Sequence, residues 1–141
     1  MIRALVIFLL VASGSALADD WADELRATTR VEPTYPYLAA ATGMTAVCRA
    51  AYGIDENGRP FDVCVACNTG LERPTPPRTQ TLVSQQFVQS VEVAISQWAY
   101  SPDLAGYIGV RTEIQFLLAD QSPDVLPEPP AMDECRGPQI T

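Results

Sequence analysis

The 141-residue sequence contains no histidine and no lysine, and all nine of its basic residues are arginine. Without histidine, the chain lacks the usual general base and the commonest metal ligand in proteins. Ser-His-Asp and Cys-His catalysis are therefore excluded, as are most catalytic zinc sites. The carboxylates form no spaced pair in an apolar setting, so we predict no catalytic residue, no metal site, no cofactor and no enzymatic activity.

The basic residues are also few and scattered, and 17 acidic residues give the chain a net charge of −8 at pH 7. Nucleic acids and anionic lipid headgroups are bound by clustered Lys and Arg side chains. The sequence has no such cluster, so neither is expected as a partner. We interpret the acidity as an aid to solubility.

No apolar run reaches the about 20 residues that a membrane-spanning helix needs. The first residues instead have the pattern of a secretory signal peptide: Arg3 carries the positive charge, residues 4–12 are apolar, and Ala16-Leu17-Ala18 is a small-x-small cleavage site. We predict a signal peptide over residues 1–18, a mature N-terminus at Asp19 and a periplasmic protein without stable membrane insertion. An uncleaved anchor is the alternative.

Hydrophobic periodicity predicts two helices and three strands. Period-two alternation indicates strands, and apolar residues spaced by three and four indicate an amphipathic helix. The two prolines before Tyr37 favour an extended entry, and Gly43 is a natural helix stop. The predicted elements are a short helix over 37–41, a strand over 44–54, a turn at 55–58, a strand over 61–67, a Pro-rich loop over 68–80, a helix over 81–99 and a strand over 107–118.

This order predicts an α+β domain, a three-stranded antiparallel sheet covered on one face by the two helices. In the first strand, Met44, Ala46, Cys48, Ala50, Tyr52 and Ile54 share the apolar face, while the other face is mixed. In the second, Phe61, Val63, Val65 and Cys67 share the apolar face. We assign residues 19–32 to a lead-in, 33–119 to the domain, and 120–141 to a Pro-rich acidic tail without its own core.

Four cysteines in an exported chain indicate two disulfides. With a four-residue turn, Ile54 would oppose Arg59, which places Cys48 and Cys67 diagonally on one face. Cys64 would lie on the opposite face, within reach of Cys135 in the tail. We therefore favour Cys48–Cys67 with Cys64–Cys135, although the sequence leaves the connectivity open. The alternative is a redox motif at Cys64 and Cys67, but such motifs usually sit at a helix N-terminus rather than on a strand.

A series of spaced residues accompanies these elements. It consists of Tyr35-Pro36, Ala39 or Ala40, Gly43, Ala46-x-Cys48-x-Ala50-x-Tyr52-x-Ile54-Asp55, Asn57-Gly58-Arg59, Asp62-Val63-x-Val65, Asn68-Thr69-Gly70, Trp98-x-Tyr100-x-Pro102 and the strand from Val110 to Leu117. In order and spacing it resembles the C-terminal periplasmic domain of the TonB family of energy transducers, over about residues 33–119.

The resemblance implies binding rather than catalysis. In that family the last strand accepts an extended peptide from an outer-membrane transporter, by strand addition at a sheet edge. By analogy, the implied contacts here are Val110, Arg111, Thr112, Glu113 and Ile114, although the same residues would also suit an ordinary solvated edge. An open edge also permits a homodimer.

Several departures from the family limit the analogy. Energy transduction implies an uncleaved membrane helix and a long spacer, whereas here the apolar segment looks cleavable and only residues 19–32 precede the domain. The four cysteines and the Pro-rich loop at 71–80 are additions. The leading hypothesis is therefore a periplasmic TonB-like protein- or peptide-binding module related to outer-membrane transport. The alternatives are an envelope-associated structural protein and a thiol–disulfide protein.

Overall fold

The computed structural model of the protein describes residues 25–71, 74–133 and 135–139; the predicted signal peptide lies outside them. The helices and strands are α1 (Tyr37–Thr42), β1 (Thr45–Ile54), β2 (Pro60–Gly70), α2 (Pro77–Ser96) and β3 (Ile108–Phe116), with single 3-10 turns at Pro102–Leu104 and Pro123–Val125. The strands form one antiparallel sheet in the order β2-β1-β3. The predicted α+β fold is confirmed.

The face of the sheet toward the helices carries the main core. The even-numbered side chains of β1 from Ala46 to Ile54 are buried there, as predicted. They pack with the apolar stripe of α2 and with aromatic residues that follow it. This set comprises Val83, Phe87, Val91, Ile95, Trp98 and Tyr100. Large apolar side chains at helical and strand periods thus close this face.

A proline stands at the start of each helix or directly before it. Pro36 precedes α1, which ends at Gly43 with a φ of 71°, in the left-handed region that glycine adopts readily. α2 begins at Pro77 rather than near residue 81, so the prediction of a loop as far as Gln80 was wrong. A proline at the first helical position loses no hydrogen bond, because that N–H would have no partner within the helix.

The hairpin register differs from the predicted one by two residues. The turn occupies residues 55–59, so Ile54 lies opposite Pro60 and not Arg59. Asp62, with a φ of 51°, forms a β-bulge between the pairs Ala51–Cys64 and Gly53–Phe61. The bulge shifts the register beyond it by one further residue. Cys48 therefore lies directly opposite Cys67 rather than diagonal to it. A register shift of two residues leaves each side chain on the same face of the sheet, because side chains alternate between the faces. Cys48 and Cys67 therefore share one face, as predicted.

The bulge at Asp62 turns Phe61 to the other face of the sheet. A Cβ placed on Gly53 would meet the Phe61 ring at 2.5 Å and Pro138 at 2.9 Å, so Phe61 lies on the side away from the helices. The prediction that Phe61 shares a face with Val63 and Val65 was wrong. A bulge reverses the alternation of side chains beyond it, and the sequence pattern did not reveal this one.

The second face of the sheet is covered by the C-terminal segment. Thr45, Val47 and Ala51 of β1 are buried on this side, although the mixed pattern predicted a strand buried on one face only. Thr45 Oγ1 donates a hydrogen bond to the carbonyl of Val125 (2.9 Å) and Asn68 Nδ2 donates one to that of Glu128 (2.9 Å). We call the described residues 121–133 and 135–139 the tail strap.

Candidate functional site

The outer edge of β3 is the candidate site, because β3 lies at one side of the sheet. It pairs with β1 along its inner edge, and no other strand among the described residues pairs with it. From Val110 to Phe116 the pairing is regular, and the single irregularity lies at Gly109, with a φ of 91°. This leaves a regular edge of seven residues with which no second strand of the described residues pairs.

Hydrogen bonds at the end of β1 show which backbone groups of β3 point outward. The N–H of Ile54 donates to the carbonyl of Tyr107, and the N–H of Gly106 donates to the carbonyl of Ile54 (both 2.8 Å). Since successive residues of a strand direct these groups to opposite sides, the even-numbered residues of β1 bond to β3. Their partners Val110, Thr112, Ile114 and Phe116 therefore direct their backbone groups inward.

The intervening residues Arg111, Glu113 and Gln115 direct their N–H and C=O groups to the outer edge. The Cα–Cα distance of 4.0 Å between Cys48 and Cys67 agrees with this assignment, because such a short distance is typical of a non-hydrogen-bonded pair. Cys48 then bonds to β3 and not to β2. An added strand would pair with the outward groups of β3 at every second residue.

The five predicted contact residues thus divide into two groups. Val110 and Thr112 are buried and face the core, and Ile114 is partly buried against it. The Thr112 hydroxyl lies 3.1 Å from that of Tyr52, which lies 2.5 Å from that of Tyr100. These residues hold the strand in place. Arg111 and Glu113 instead belong to the outward set, which also includes Gln115, a residue that the sequence analysis did not select.

Glu113 is held by an ion pair with the neighbouring strand. Arg49 lies directly opposite, and its Nε donates to Glu113 Oε1 at 3.1 Å. Arg49 Nη1 also donates to the carbonyl of Pro130 at 3.3 Å, which links the edge strand to the tail strap. Each side chain of the pair is about a quarter exposed or less. The pair fixes the Glu113 side chain beside the edge and does not cover its backbone.

The opposite edge of the sheet, on β2, is less regular. It begins with Pro60, which has no N–H, and is kinked by the Asp62 bulge. Prolines and bulges are devices that protect an edge from pairing with another chain. The two edges therefore differ, and the edge of β3 is the better template for strand addition.

The two disulfides are those the sequence analysis favoured: Cys48–Cys67 and Cys64–Cys135. The Cys-x-x-Cys pair is thus divided between two bridges, and the protein has no free cysteine. The first bridge joins β1 to β2 on the helix side. The second fastens the tail strap to β2 on the other side, which removes the thiols that a redox motif would require.

Three glycines let the tail strap approach the sheet closely, and the sequence analysis did not single them out for this. A Cβ on Gly70 would lie 2.5 Å from the carbonyl oxygen of Val125, and one on Gly137 would lie 2.8 Å from the backbone of Ala51. A Cβ on Gly53 would lie 2.9 Å from the side chain of Pro138. Glycine within a strand is a sign of close backbone approach, and this signal was present in the sequence.

The described residues line at least two hollows on the surface. One, of about 790 Å³, lies between the residue 31–40 segment and α2, beside the exposed side chains of Tyr37 and Val93. The other, of about 630 Å³, lies between the tail strap and the start of β3, and is lined by Gly109, Arg111 and Arg136 among others. The second hollow adjoins the candidate edge.

Within the described ranges, no helix is both long and apolar enough to cross a bilayer. Over the same residues, no cluster of three or more Cys, Asp or Glu side chains is arranged to hold a metal ion.

Among solved structures, that of the TonB2 protein from Vibrio anguillarum is similar to this chain. The sequences are 22% identical, the TM-score is 0.47, and the match covers 70% of this chain and 85% of that chain. The fold assignment rests on the strand order and register of the sheet. No protein-family model matches the chain, and no curated protein matches it significantly in sequence.

Proposed function

We propose that this protein is a periplasmic, TonB-like module that binds an extended peptide segment of a partner protein by strand addition at the outer edge of β3. The observation that carries the proposal is the contrast between the faces and the edge of the sheet. Helices cover one face and the tail strap covers the other, while no strand among the described residues pairs with β3 on its outer side.

The backbone geometry suits this role. The outward N–H and C=O groups of Glu113 and Gln115 lie on a regular part of the strand, where a peptide can form the alternating bonds of an antiparallel or parallel ladder. The buried side chains of β3 keep the strand in position without the peptide, and among them Thr112 contacts the hydroxyl of Tyr52, which in turn contacts that of Tyr100. A preformed edge avoids the cost of ordering the strand on binding.

The resemblance of the spaced residues to the TonB C-terminal domain supports the same site, since it is the last strand that takes the peptide in that family. An outer-membrane transporter segment is therefore the proposed partner class. The two disulfides agree with an oxidising compartment, as expected for an exported protein. No cysteine is free for thiol–disulfide exchange, so the binding role is preferred to the redox role.

The test uses protein isolated from the periplasm and a displayed library of random nine-residue peptides. Selected peptides are titrated into 15N-labelled protein, and we expect the largest amide shifts at Glu113 and Gln115. Gln115→Pro removes an outward N–H from the edge without removing a bond to β1, so it should weaken binding at least tenfold. The matched control, Gln115→Ala, keeps the N–H and should bind as the unmodified protein does.

Two results would overturn the proposal. One is a selection that yields no peptide with shifts along β3. The other is equal affinity of the Gln115→Pro and Gln115→Ala proteins, because that would place the peptide away from the backbone edge. A thermal unfolding curve for each variant establishes that any loss of binding does not come from loss of the fold.

A further inference from the structure

The hollow beside the start of β3 has an unusual composition for so acidic a chain. Two exposed arginines, Arg111 of β3 and Arg136 of the tail strap, line it together, although the protein carries a net charge of −8. Asp133 also lines it and partly offsets them. The guanidinium groups are planar donors suited to binding a carboxylate through paired hydrogen bonds.

Arg136 is positioned by the tail strap. Its Nε donates to the carbonyl of Asp133 at 3.0 Å, and no acceptor in the described part of the chain contacts its terminal nitrogens. The neighbouring Cys135 is buried and bonded to Cys64 of β2, and Gly137 rests on the backbone of Ala51. The arginine thus stands on a segment that is anchored on both sides. Because Arg111 already interacts with another group of the protein, Arg136 is the main hydrogen-bond donor that the hollow offers to a ligand.

The hollow and the edge of β3 form one continuous surface. Ile108, Gly109 and Arg111 belong both to the strand and to the lining of the hollow. Around Gly109 there is open space, since a Cβ there would meet no atom within 4 Å. A peptide paired with Glu113 and Gln115 would therefore reach the hollow where β3 begins. In antiparallel pairing, that end of the peptide is its C-terminal end.

We infer that the hollow between Arg111 and Arg136 binds a carboxylate of the peptide that pairs with β3. The carboxylate belongs either to an Asp or Glu side chain or to a free peptide C-terminus. This inference rests on the proposed strand addition for its biological role, but the carboxylate site itself can be tested without a bound strand. Because Arg136 follows Cys135 in the tail strap, the Cys64–Cys135 bridge helps to hold the site in place.

The first experiment titrates N-acetyl-glutamate N-methylamide, and the neutral glutamine compound as its control, into 15N-labelled protein. The glutamate compound should shift the amides of Gly109 and Gly137 and the Nε–H signal of Arg136, and added salt should weaken the effect. Arg136→Gln should reduce the affinity at least fivefold, whereas Arg78→Gln, an exposed arginine at the start of α2, should not change it. Equal shifts by both compounds, or unchanged affinity in Arg136→Gln, would overturn the inference.

The second experiment uses the nine-residue peptides selected on the β3 edge. Replacing an acidic side chain by its amide, or the free C-terminus by a carboxamide, identifies the source of the carboxylate, and one of the two should lower affinity at least fivefold. If neither replacement lowers the affinity while the amide shifts at Glu113 and Gln115 persist, the proposed strand addition stands and the proposed carboxylate site is wrong. If no peptide binds the edge but the glutamate compound still binds at Arg136, the proposed function fails and the anion site remains.

Discussion

The two faces of the sheet are closed by different means. On the helix side, large apolar side chains such as Phe87 and Trp98 fill the space, and aromatic rings meet edge to face. On the other side, a segment without regular secondary structure, apart from one 3-10 turn, lies close to the strands through glycines, backbone hydrogen bonds and one disulfide. The first face depends on burial of apolar area and the second on close contact and a covalent tie.

The helix face should give the largest loss of stability when a core side chain is truncated. Phe87 is fully buried and contacts the rings of Tyr35 and Phe116. Phe87→Ala should therefore lower the free energy of unfolding by about 3–5 kcal/mol. Val93→Ala, on the exposed side of the same helix, should change it by less than about 0.5 kcal/mol. Urea unfolding measures both, and similar values for the two would contradict the assignment of the core.

Removing the bridge of the tail strap should have the next largest effect. The Cys64–Cys135 bond closes a loop with a sequence separation of 71 residues, so replacing both residues by alanine should cost about 2–4 kcal/mol. The strap should then become a substrate for limited proteolysis between residues 120 and 139, while the rest of the domain resists. A strap that stays protected in the double variant would show that its non-covalent contacts suffice.

A single methyl group should distinguish close contact from ordinary packing. Gly53→Ala places a Cβ against the Phe61 ring and Pro138, and should destabilise the protein by about 1–3 kcal/mol. In a Phe61→Ala background the same change should cost less, because the nearest obstacle has been removed. Thermal unfolding of the four proteins in this cycle measures the coupling between the sites. Additive effects would mean that Phe61 does not lie against Gly53.

The smallest expected effect is a pH dependence at the helix face. Burial raises the pKa of Tyr35, whose hydroxyl donates to the carbonyl of Met44 at 2.5 Å. The neutral form is therefore favoured in the folded state, and its contribution is fully present below the unfolded pKa, near 10. It should be lost as the pH rises through the higher folded pKa.

Comparison with Tyr35→Phe isolates this contribution. Unfolding free energies should differ by about 1 kcal/mol at neutral pH, and the difference should shrink in alkaline solution. Tyr37→Phe serves as the control, because the Tyr37 side chain is 87% exposed and its substitution should change the free energy of unfolding little. A difference between Tyr35→Phe and the unmodified protein that grows with pH would contradict the predicted sign.

Much of the fold could be predicted because the patterns were local. The alternation in β1 and the three-and-four spacing of Val83, Phe87 and Val91 identified the core side of the strand and of α2. The start of α2 was missed because a proline can begin a helix as well as exclude one. The hairpin register was missed because the five-residue turn and the Asp62 bulge each add one residue, and alternation does not count residues within turns.

The candidate site was predicted only in part. The resemblance pointed to β3, but all five residues from Val110 to Ile114 were treated as contacts. Only the pairing with β1 separates those that direct their backbone inward from Arg111, Glu113 and Gln115, which direct it outward. The hollow beside Arg136 was not foreseen, because the tail was expected to have no core of its own and only the Cys64–Cys135 bridge was predicted to join it to the sheet.

By itself, the sequence determined which side chains of β1 and α2 would be buried in the main core and which faces of the strands carry the cysteines, since both follow from the periodicity of the backbone. Only the tertiary structure decided that the tail strap covers the second face and that Arg136 comes to lie beside Arg111. Contacts between residues so distant along the chain depend on register, close approach at glycines and a disulfide that closes a long loop. Apart from the Cys64–Cys135 pairing, which the strand pattern favoured, no local pattern encodes them.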